Sequence, residues 1–330
     1  MLSHMLSHTL PRTFGIALLG GLMGCGPIAI ATAPSKKAVL DDSGATKDAQ
    51  LYFWTTLHQG GYDHIGAALD KLQAAYLGHP EDPRTAAHIA FLHIWRFSER
   101  ARRADLTATV TDDMMLAHRY FEEAVKLDPG ESRFRGFLAA TTMAEGAIHH
   151  DEKLSRRGFF EMKDAVAAWP EFNLFTRGYS MSRLPVDNPR FAAALEDQWD
   201  TLDKCTDSVA TRVDRKRADF SPYMHLETQK GPKRACWNSW IAPHNFEGFF
   251  LNMGDMLVKA GDPSTARKIY AQARLTKDFS TWPYREVLER RITEADQNIA
   301  RFRAAGGTTV DAEHHTMIDT PFACTGCHQQ

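Results

Sequence analysis

The chain has 330 residues, and its 39 Lys and Arg residues nearly balance its 41 Asp and Glu residues, giving a formal net charge of −2. This balance excludes the strongly basic surface of a nucleic-acid-binding protein, and we expect no nucleic-acid partner. With 43% hydrophobic and 24% charged residues, the composition is that of a globular protein and excludes a disordered or multi-pass membrane chain. The five cysteines are an odd number, so each thiol needs its own chemical explanation.

The first 24 residues have the features of a signal peptide, since a basic residue precedes an apolar stretch too short to span a bilayer. Leu22-Met23-Gly24-Cys25 resembles the bacterial lipobox, which implies cleavage before Cys25 and lipidation of its thiol. Gly26 after the cysteine favours the outer membrane. We therefore expect a protein that is lipid-anchored on the periplasmic side of the outer membrane. Ala29-Ile30-Ala31 leaves open an ordinary signal-peptidase cut and secretion to the periplasm.

Two segments of different character follow the signal peptide. Residues 25–48 have no apolar period and contain several prolines and glycines, which predicts a flexible tether. In residues 49–305 apolar side chains recur three and four positions apart, which predicts an all-α domain.

The clearest helical pattern lies at 247–275, where small and large residues stand at fixed positions. They are Phe250, Met253, Gly254, Leu257, Gly261, Ala266, Tyr270 and Ala273. This pattern resembles the tetratricopeptide (TPR) consensus, in which small residues let two antiparallel helices approach each other. Partial copies at irregular spacing imply a TPR-like α-solenoid of degenerate helix pairs, whose concave face would hold a protein partner or a cofactor. An irregular all-α domain without true repeats is the alternative.

Residues 205–245 interrupt the helical pattern with prolines, glycines and a basic run, which predicts an insertion between helix pairs. The insertion contains Cys205 and Cys236. In an oxidising compartment a disulfide between them would close a loop of about 30 residues and stabilise the fold by about 3–4 kcal/mol. Two free buried cysteines are the alternative.

The final ten residues contain Cys324-Thr325-Gly326-Cys327-His328, a CxxCH sequence. It resembles the haem-attachment motif of c-type cytochromes. The resemblance implies one covalent haem c, with Cys324 and Cys327 bonded to its vinyl groups and His328 as the proximal iron ligand. A redox dithiol, a structural zinc site and a simple disulfide are the alternatives. The first needs a helix after the motif, and the second needs further ligands nearby.

The haem pocket has to come from upstream residues, because leaving the porphyrin in water would cost on the order of 10 kcal/mol. We therefore expect residues 306–323 to act as a strap that returns the haem onto the helical body, within a C-terminal haem-binding segment at 306–330. Candidate sixth ligands of the iron are His315 on the strap and His244. His244 is flanked by aromatic residues suited to a porphyrin edge or to ordinary core packing, namely Trp237, Trp240 and Phe246.

These expectations together describe an exported monohaem c-type cytochrome-like protein that passes single electrons to an unidentified redox partner protein. They favour a non-catalytic electron carrier and leave open whether it is also an enzyme. Two alternatives from other classes stay open. One is a TPR-like interaction scaffold with a structural or sensing haem. The other is a haem enzyme acting on peroxide or nitrogen oxides. No hydrolase or nucleotide-binding motif is present in the sequence.

Overall fold

The computed structural model describes residues 25–102, 110–206, 213–241, 247–304 and 315–328. All regular elements within these ranges are helical, and the ranges contain no β-strand. The all-α fold predicted from the sequence is thus confirmed. Within the same ranges, no helix combines the length and the apolar character that a membrane crossing requires.

The α-helices in chain order are α1 (Cys25–Ala31), α2 (Gly44–His58), α3 (Ile65–Gly78), α4 (Pro83–Ser98), α5 (Val110–Leu127), α6 (Ser132–Ile148), α7 (Glu152–Ala168), α8 (Pro170–Met181), α9 (Pro189–Cys205), α10 (Glu247–Ala260), α11 (Pro263–Gln272), α12 (Arg285–Thr293) and α13 (Ala295–Ala304). Short 3₁₀ turns lie at Tyr62–His64, Arg100–Arg102, Pro232–Ala235, Ala273–Leu275 and Met317–Asp319.

The chain divides into two units, Met1–Lys37 and Ala38–Gln330. The first contains α1, whose side chains from Gly26 onward are exposed to solvent. The second contains the other twelve helices that the structure describes. Two helical stretches fall inside the segment predicted as a tether, because α1 occupies its start and α2 begins at Gly44.

Several helix starts follow directly from local sequence. Asp82, Asn188 and Asp262 each accept a hydrogen bond from a backbone N–H in the first turn of the helix that follows, and each precedes a proline. A side-chain acceptor at the N-cap satisfies one of the unpaired donors, and proline at the first position lacks the N–H that would remain unpaired. The beginnings of α4, α9 and α11 are therefore set by two adjacent residues each.

In the second unit each helix packs against the next one along the chain, and α13 also packs back against α10 and α11. The two helices predicted at 247–275 are present as α10 and α11. Gly254 lies against the ring of Tyr270, and a Cβ added to this glycine would be 2.2 Å from a ring carbon. Only a residue without a side chain fits at this contact between α10 and α11.

The insertion after α9 contains turns and one 3₁₀ turn but no α-helix in its described part, residues 213–241. A disulfide joins Cys205 to Cys236, with Cα atoms 5.4 Å apart. The predicted cysteine pairing is confirmed. Trp237 is fully buried beside the disulfide, and its indole N–H donates to the carbonyl oxygen of Cys205 at 2.8 Å. This tryptophan is therefore part of the core.

The C-terminal segment, residues 315–328, lies on the helical body. The backbone N–H of Met317 donates to the carboxylate of Asp255 on α10 at 2.9 Å, and both residues are completely buried. Phe322 stacks on Tyr284 with ring centroids 4.3 Å apart. These contacts place the CxxCH sequence, which ends the segment, inside the protein.

Candidate functional site

The CxxCH residues form a single helical turn. The N–H of Cys327 donates to the carbonyl of Cys324 at 3.0 Å, and the N–H of His328 donates to the same carbonyl at 3.1 Å. Residues three and four apart in such a turn share one face. The turn therefore brings Cys324, Cys327 and His328 together.

A buried carboxylate holds the start of this turn. Glu99, directly after α4, is completely buried and accepts hydrogen bonds from the backbone N–H of Cys324 at 2.8 Å and of Thr325 at 2.6 Å. The hydroxyl of Thr325 donates to the same carboxylate at 3.0 Å. The guanidinium of Arg102 donates to Glu99 at 2.6 Å and to the Thr325 hydroxyl at 3.0 Å. We call this set of contacts the Glu99 clamp.

The charge of the Glu99 clamp is partly balanced. Burial raises the pKa of Glu99, while the hydrogen bond from Thr325 and the charge of Arg102 lower it. A buried carboxylate without these donors would be costly. Glu99 therefore depends on the N–H and hydroxyl donors of the CxxCH turn, and the turn depends on Glu99 as their acceptor.

Three further contacts fix the turn from other directions. The hydroxyl of Tyr179 on α8 donates to the carbonyl of Ala323 at 2.8 Å, and the indole of Trp282 donates to the carbonyl of Gly326 at 3.1 Å. Gly248, in the first turn of α10, touches the same carbonyl so closely that an added Cβ would lie 2.4 Å from its oxygen. The motif is thus held by residues from distant parts of the chain.

The two motif cysteines lie in apolar surroundings. Cys327 is buried in the main core, whereas Cys324 packs against a second cluster formed by α2, α3 and α4. Burial raises the pKa of both thiols, and the carboxylate of Glu99 raises the pKa of each further. A reactive redox dithiol needs a stabilised thiolate, which positive neighbours supply. Around these thiols burial and the Glu99 carboxylate outweigh the charge of Arg102, which disfavours the redox-dithiol alternative.

His328 is partly buried, and its Nδ1 atom is shielded from water without a hydrogen-bond partner among the described residues. Burial, with a smaller contribution from the nearby His58, lowers the pKa of His328 to about 3. Such an imidazole is neutral at pH 7 and keeps a nitrogen lone pair free to bind a metal.

His58, which no sequence pattern had indicated, is the second histidine at this site. It is 7% exposed, and within the described part of the chain neither of its ring nitrogens has a hydrogen-bond partner. Burial lowers the pKa of His58 to about 4. Its ring packs against two neighbouring indoles, with centroids 5.5 Å from Trp54 and 4.0 Å from Trp240.

The other predicted site residues lie elsewhere or outside the description. His315 is buried, and its carbonyl accepts a hydrogen bond from Arg291. No described contact joins its ring to the CxxCH turn. His244 lies outside the described residues, and so does the side chain of Cys25, the first residue of α1.

The residues at the motif fit a c-type haem. The observation behind this is that His328 has a shielded ring nitrogen without a partner among the described residues and lies in the same turn as two thiols. Within the described ranges, no group of three or more His, Cys, Asp or Glu side chains is arranged to hold a bare metal ion. A haem requires no such group, because the porphyrin supplies four ligands and the protein adds one or two.

Comparison of the chain with protein-family models, with characterised proteins and with solved structures found no match in any of the three. The site must therefore be interpreted from its own residues. Two of them, His58 and Glu99, had not been predicted. His58 follows Trp54 by four positions on α2, which places both on one helix face, but this spacing is too common to single out a ligand.

Proposed function

We propose that this chain is an exported monohaem c-type cytochrome-like protein that transfers single electrons. In this proposal Cys324 and Cys327 would hold the haem through thioether bonds, and the imidazole of His328 would bind its iron. The observation that supports it best is the buried CxxCH turn, whose imidazole has a buried nitrogen and no partner for it. A surface CxxCH produced by chance would not require burial or a dedicated carboxylate.

When bound, the haem supplies a one-electron change between ferric and ferrous iron. The chain's own residues set the conditions for that change. The apolar clusters beside Cys324 and Cys327 keep water away from the attachment edge. The buried carboxylate of Glu99 favours the more positive, oxidised state, and Arg102 offsets part of that effect.

We also propose that the helical body is a degenerate TPR-like solenoid. The support is local, because α10 and α11 combine the Gly254–Tyr270 contact with a fully buried Ala266 and the Asp262-Pro263 start signal. Consecutive packing along the chain is the arrangement that such repeats require. In this proposal the concave face of the solenoid binds the redox partner protein.

The proposed location is the periplasmic side of the outer membrane, with Cys25 as the lipidated residue. The sequence pattern at 22–25 supports this, and the Cys205–Cys236 disulfide is typical of a compartment outside the cytoplasm. Replacing Cys25 by Ala should move the protein from the membrane fraction to the soluble periplasmic fraction. A membrane-bound Cys25→Ala variant would contradict lipidation at this residue.

The decisive experiment for the cofactor is the intact mass of the full chain produced in bacteria that contain a cytochrome c maturation system. We expect one added haem, which Cys324→Ala combined with Cys327→Ala should abolish. The control is Cys205→Ala with Cys236→Ala, which removes the same number of thiols and should leave the haem mass in place. A wild-type chain without added haem would overturn the cytochrome proposal.

A further inference from the structure

The feature that the proposed function leaves unexplained is the buried imidazole of His58. Its two ring nitrogens are both shielded from water, and neither has a partner in the described residues. Each buried polar atom without a hydrogen bond costs about 1–3 kcal/mol. A chain that keeps histidine here, where an apolar residue would avoid the cost, has a use for the free nitrogen.

The backbone holds His58 in place at the end of α2. The helix stops at this residue, and Gly60 then turns the chain with a φ of 60°, a left-handed conformation that glycine adopts without strain. The imidazole is fixed from the sides by Trp54 and Trp240. Because Trp54 and Trp240 pack on its ring, His58 presents its nitrogens in a defined direction, as a metal ligand requires.

His58 is also close to the CxxCH turn. Cys324 packs against the same apolar cluster as Trp54 and Leu57, which are neighbours of His58 on α2. Independently, His58 is the histidine that contributes to lowering the pKa of His328. The buried imidazole of His58 and the partly buried imidazole of His328 therefore lie near each other, although they come from distant parts of the chain.

We infer that His58 is the sixth ligand of the haem iron, so that the iron is held between the imidazoles of His58 and His328. This inference rests on the proposed function, because it requires a haem at the CxxCH turn. It replaces His315 and His244 as the favoured sixth ligand. An iron with two imidazole ligands is closed to exogenous ligands, which favours electron transfer over peroxide or nitrogen-oxide chemistry.

Met317 is not favoured as an alternative ligand because of its packing. Its terminal methyl lies under Gly326, where an added Cβ would be 2.7 Å away, and it is completely buried in the main core. His315 is held through its carbonyl by Arg291. Both residues fasten the C-terminal segment to the helical body.

The test compares the holoprotein with His58→Ala and His58→Leu, the second of which keeps an apolar side chain packed against the two indoles. We expect wild-type protein to be low-spin in both oxidation states and not to bind carbon monoxide. Both variants should become high-spin and bind carbon monoxide when reduced. Added imidazole should restore the low-spin spectrum of His58→Ala.

Two other histidine variants serve as controls. His64 lies six residues further along and is exposed, so His64→Ala should keep the wild-type spectrum. His315→Ala tests the ligand predicted from the sequence and should also leave the spectrum unchanged. A low-spin spectrum in both His58 variants, or a high-spin spectrum in His315→Ala, would overturn the assignment of His58.

A measurement on unaltered protein guards against variants that fail to fold. Near-infrared magnetic circular dichroism of the ferric wild-type holoprotein distinguishes two imidazole ligands from imidazole with methionine. Two imidazoles support the inference, whereas a methionine ligand or an open position overturns it. Wild-type chain without haem would refute the proposed function itself, a result distinct from a haem-bearing protein with another sixth ligand.

Discussion

The Glu99 clamp offers the sharpest test of how the CxxCH turn is held. In Glu99→Ala the backbone N–H groups of Cys324 and Thr325 lose their acceptor, and Thr325 is only 1% exposed. Each unpaired buried donor costs about 1–3 kcal/mol, and the loss of a buried ion-pair partner adds to this. Because the Arg102 side chain is 30% exposed, we take the lower part of that range, about 3 kcal/mol in total.

The assay is hydrogen exchange followed by mass spectrometry on a peptide that covers residues 322–328. A cost of about 3 kcal/mol corresponds to exchange that is roughly 100-fold faster in Glu99→Ala than in wild type. Glu99→Gln keeps one acceptor oxygen and should show a smaller increase, equivalent to about 1 kcal/mol.

The matched control is Glu152→Ala, which removes an exposed carboxylate paired with Arg156 on α7. An exposed pair of this kind contributes about 0–1 kcal/mol, so exchange in the 322–328 peptide should stay at the wild-type rate. Equal exchange rates in Glu99→Ala and Glu152→Ala would show that the turn does not depend on the clamp.

Three further predictions concern stability. Gly254→Ala should destabilise the protein by about 1–3 kcal/mol through overpacking, whereas Gly66→Ala, in open space on α3, should be neutral or stabilising. Removing the disulfide by Cys205→Ser with Cys236→Ser should cost about 3–4 kcal/mol, measured by urea unfolding. Burial lowers the pKa of His88 to about 3, so the unfolded state binds a proton below about pH 6.5 that the folded state rejects. The free energy of unfolding should therefore fall as the pH is lowered from about 6.5 to about 3. In this range unfolding of the wild type should take up as much as one proton more than unfolding of His88→Gln, so its stability should fall more steeply.

Each of these predictions has a result that contradicts it. Equal unfolding midpoints for Gly254→Ala and Gly66→Ala would show that α10 and α11 do not need the close approach. Unchanged stability without the disulfide would mean that the insertion does not constrain the unfolded chain. Parallel pH profiles for wild type and His88→Gln would show that this imidazole becomes protonated in the folded protein.

The sequence predicted those features that depend on neighbouring residues. Helical spacing predicted the all-α fold, and in the structure the side chains of Asp82 and Asp262 cap the first turns of α4 and α11. The pairing of Cys205 with Cys236 followed from the count of thiols. In each case the interaction lies within a few residues or is limited by the small number of reactive groups.

The rest of the site depends on contacts between distant residues, which periodicity does not reveal. Glu99 directly follows α4 and has no pattern around it, yet it binds residues 225 and 226 positions further along the chain. His58 resembles many histidines at helix ends until its burial and its unpartnered nitrogens are known. Trp240 had been grouped with His244, but its ring lies on His58.

The long sequence separation within the Glu99 clamp has a consequence for biogenesis. Contacts between such distant residues form late, because they must overcome the entropy of closing a very long loop. Until then the thiols of Cys324 and Cys327 stay accessible to a maturation enzyme, whereas docking buries Cys327 and raises the pKa of both thiols. Under the proposed function, the thioether bonds form before the last folding step, and the CxxCH turn docks on the helical body afterwards.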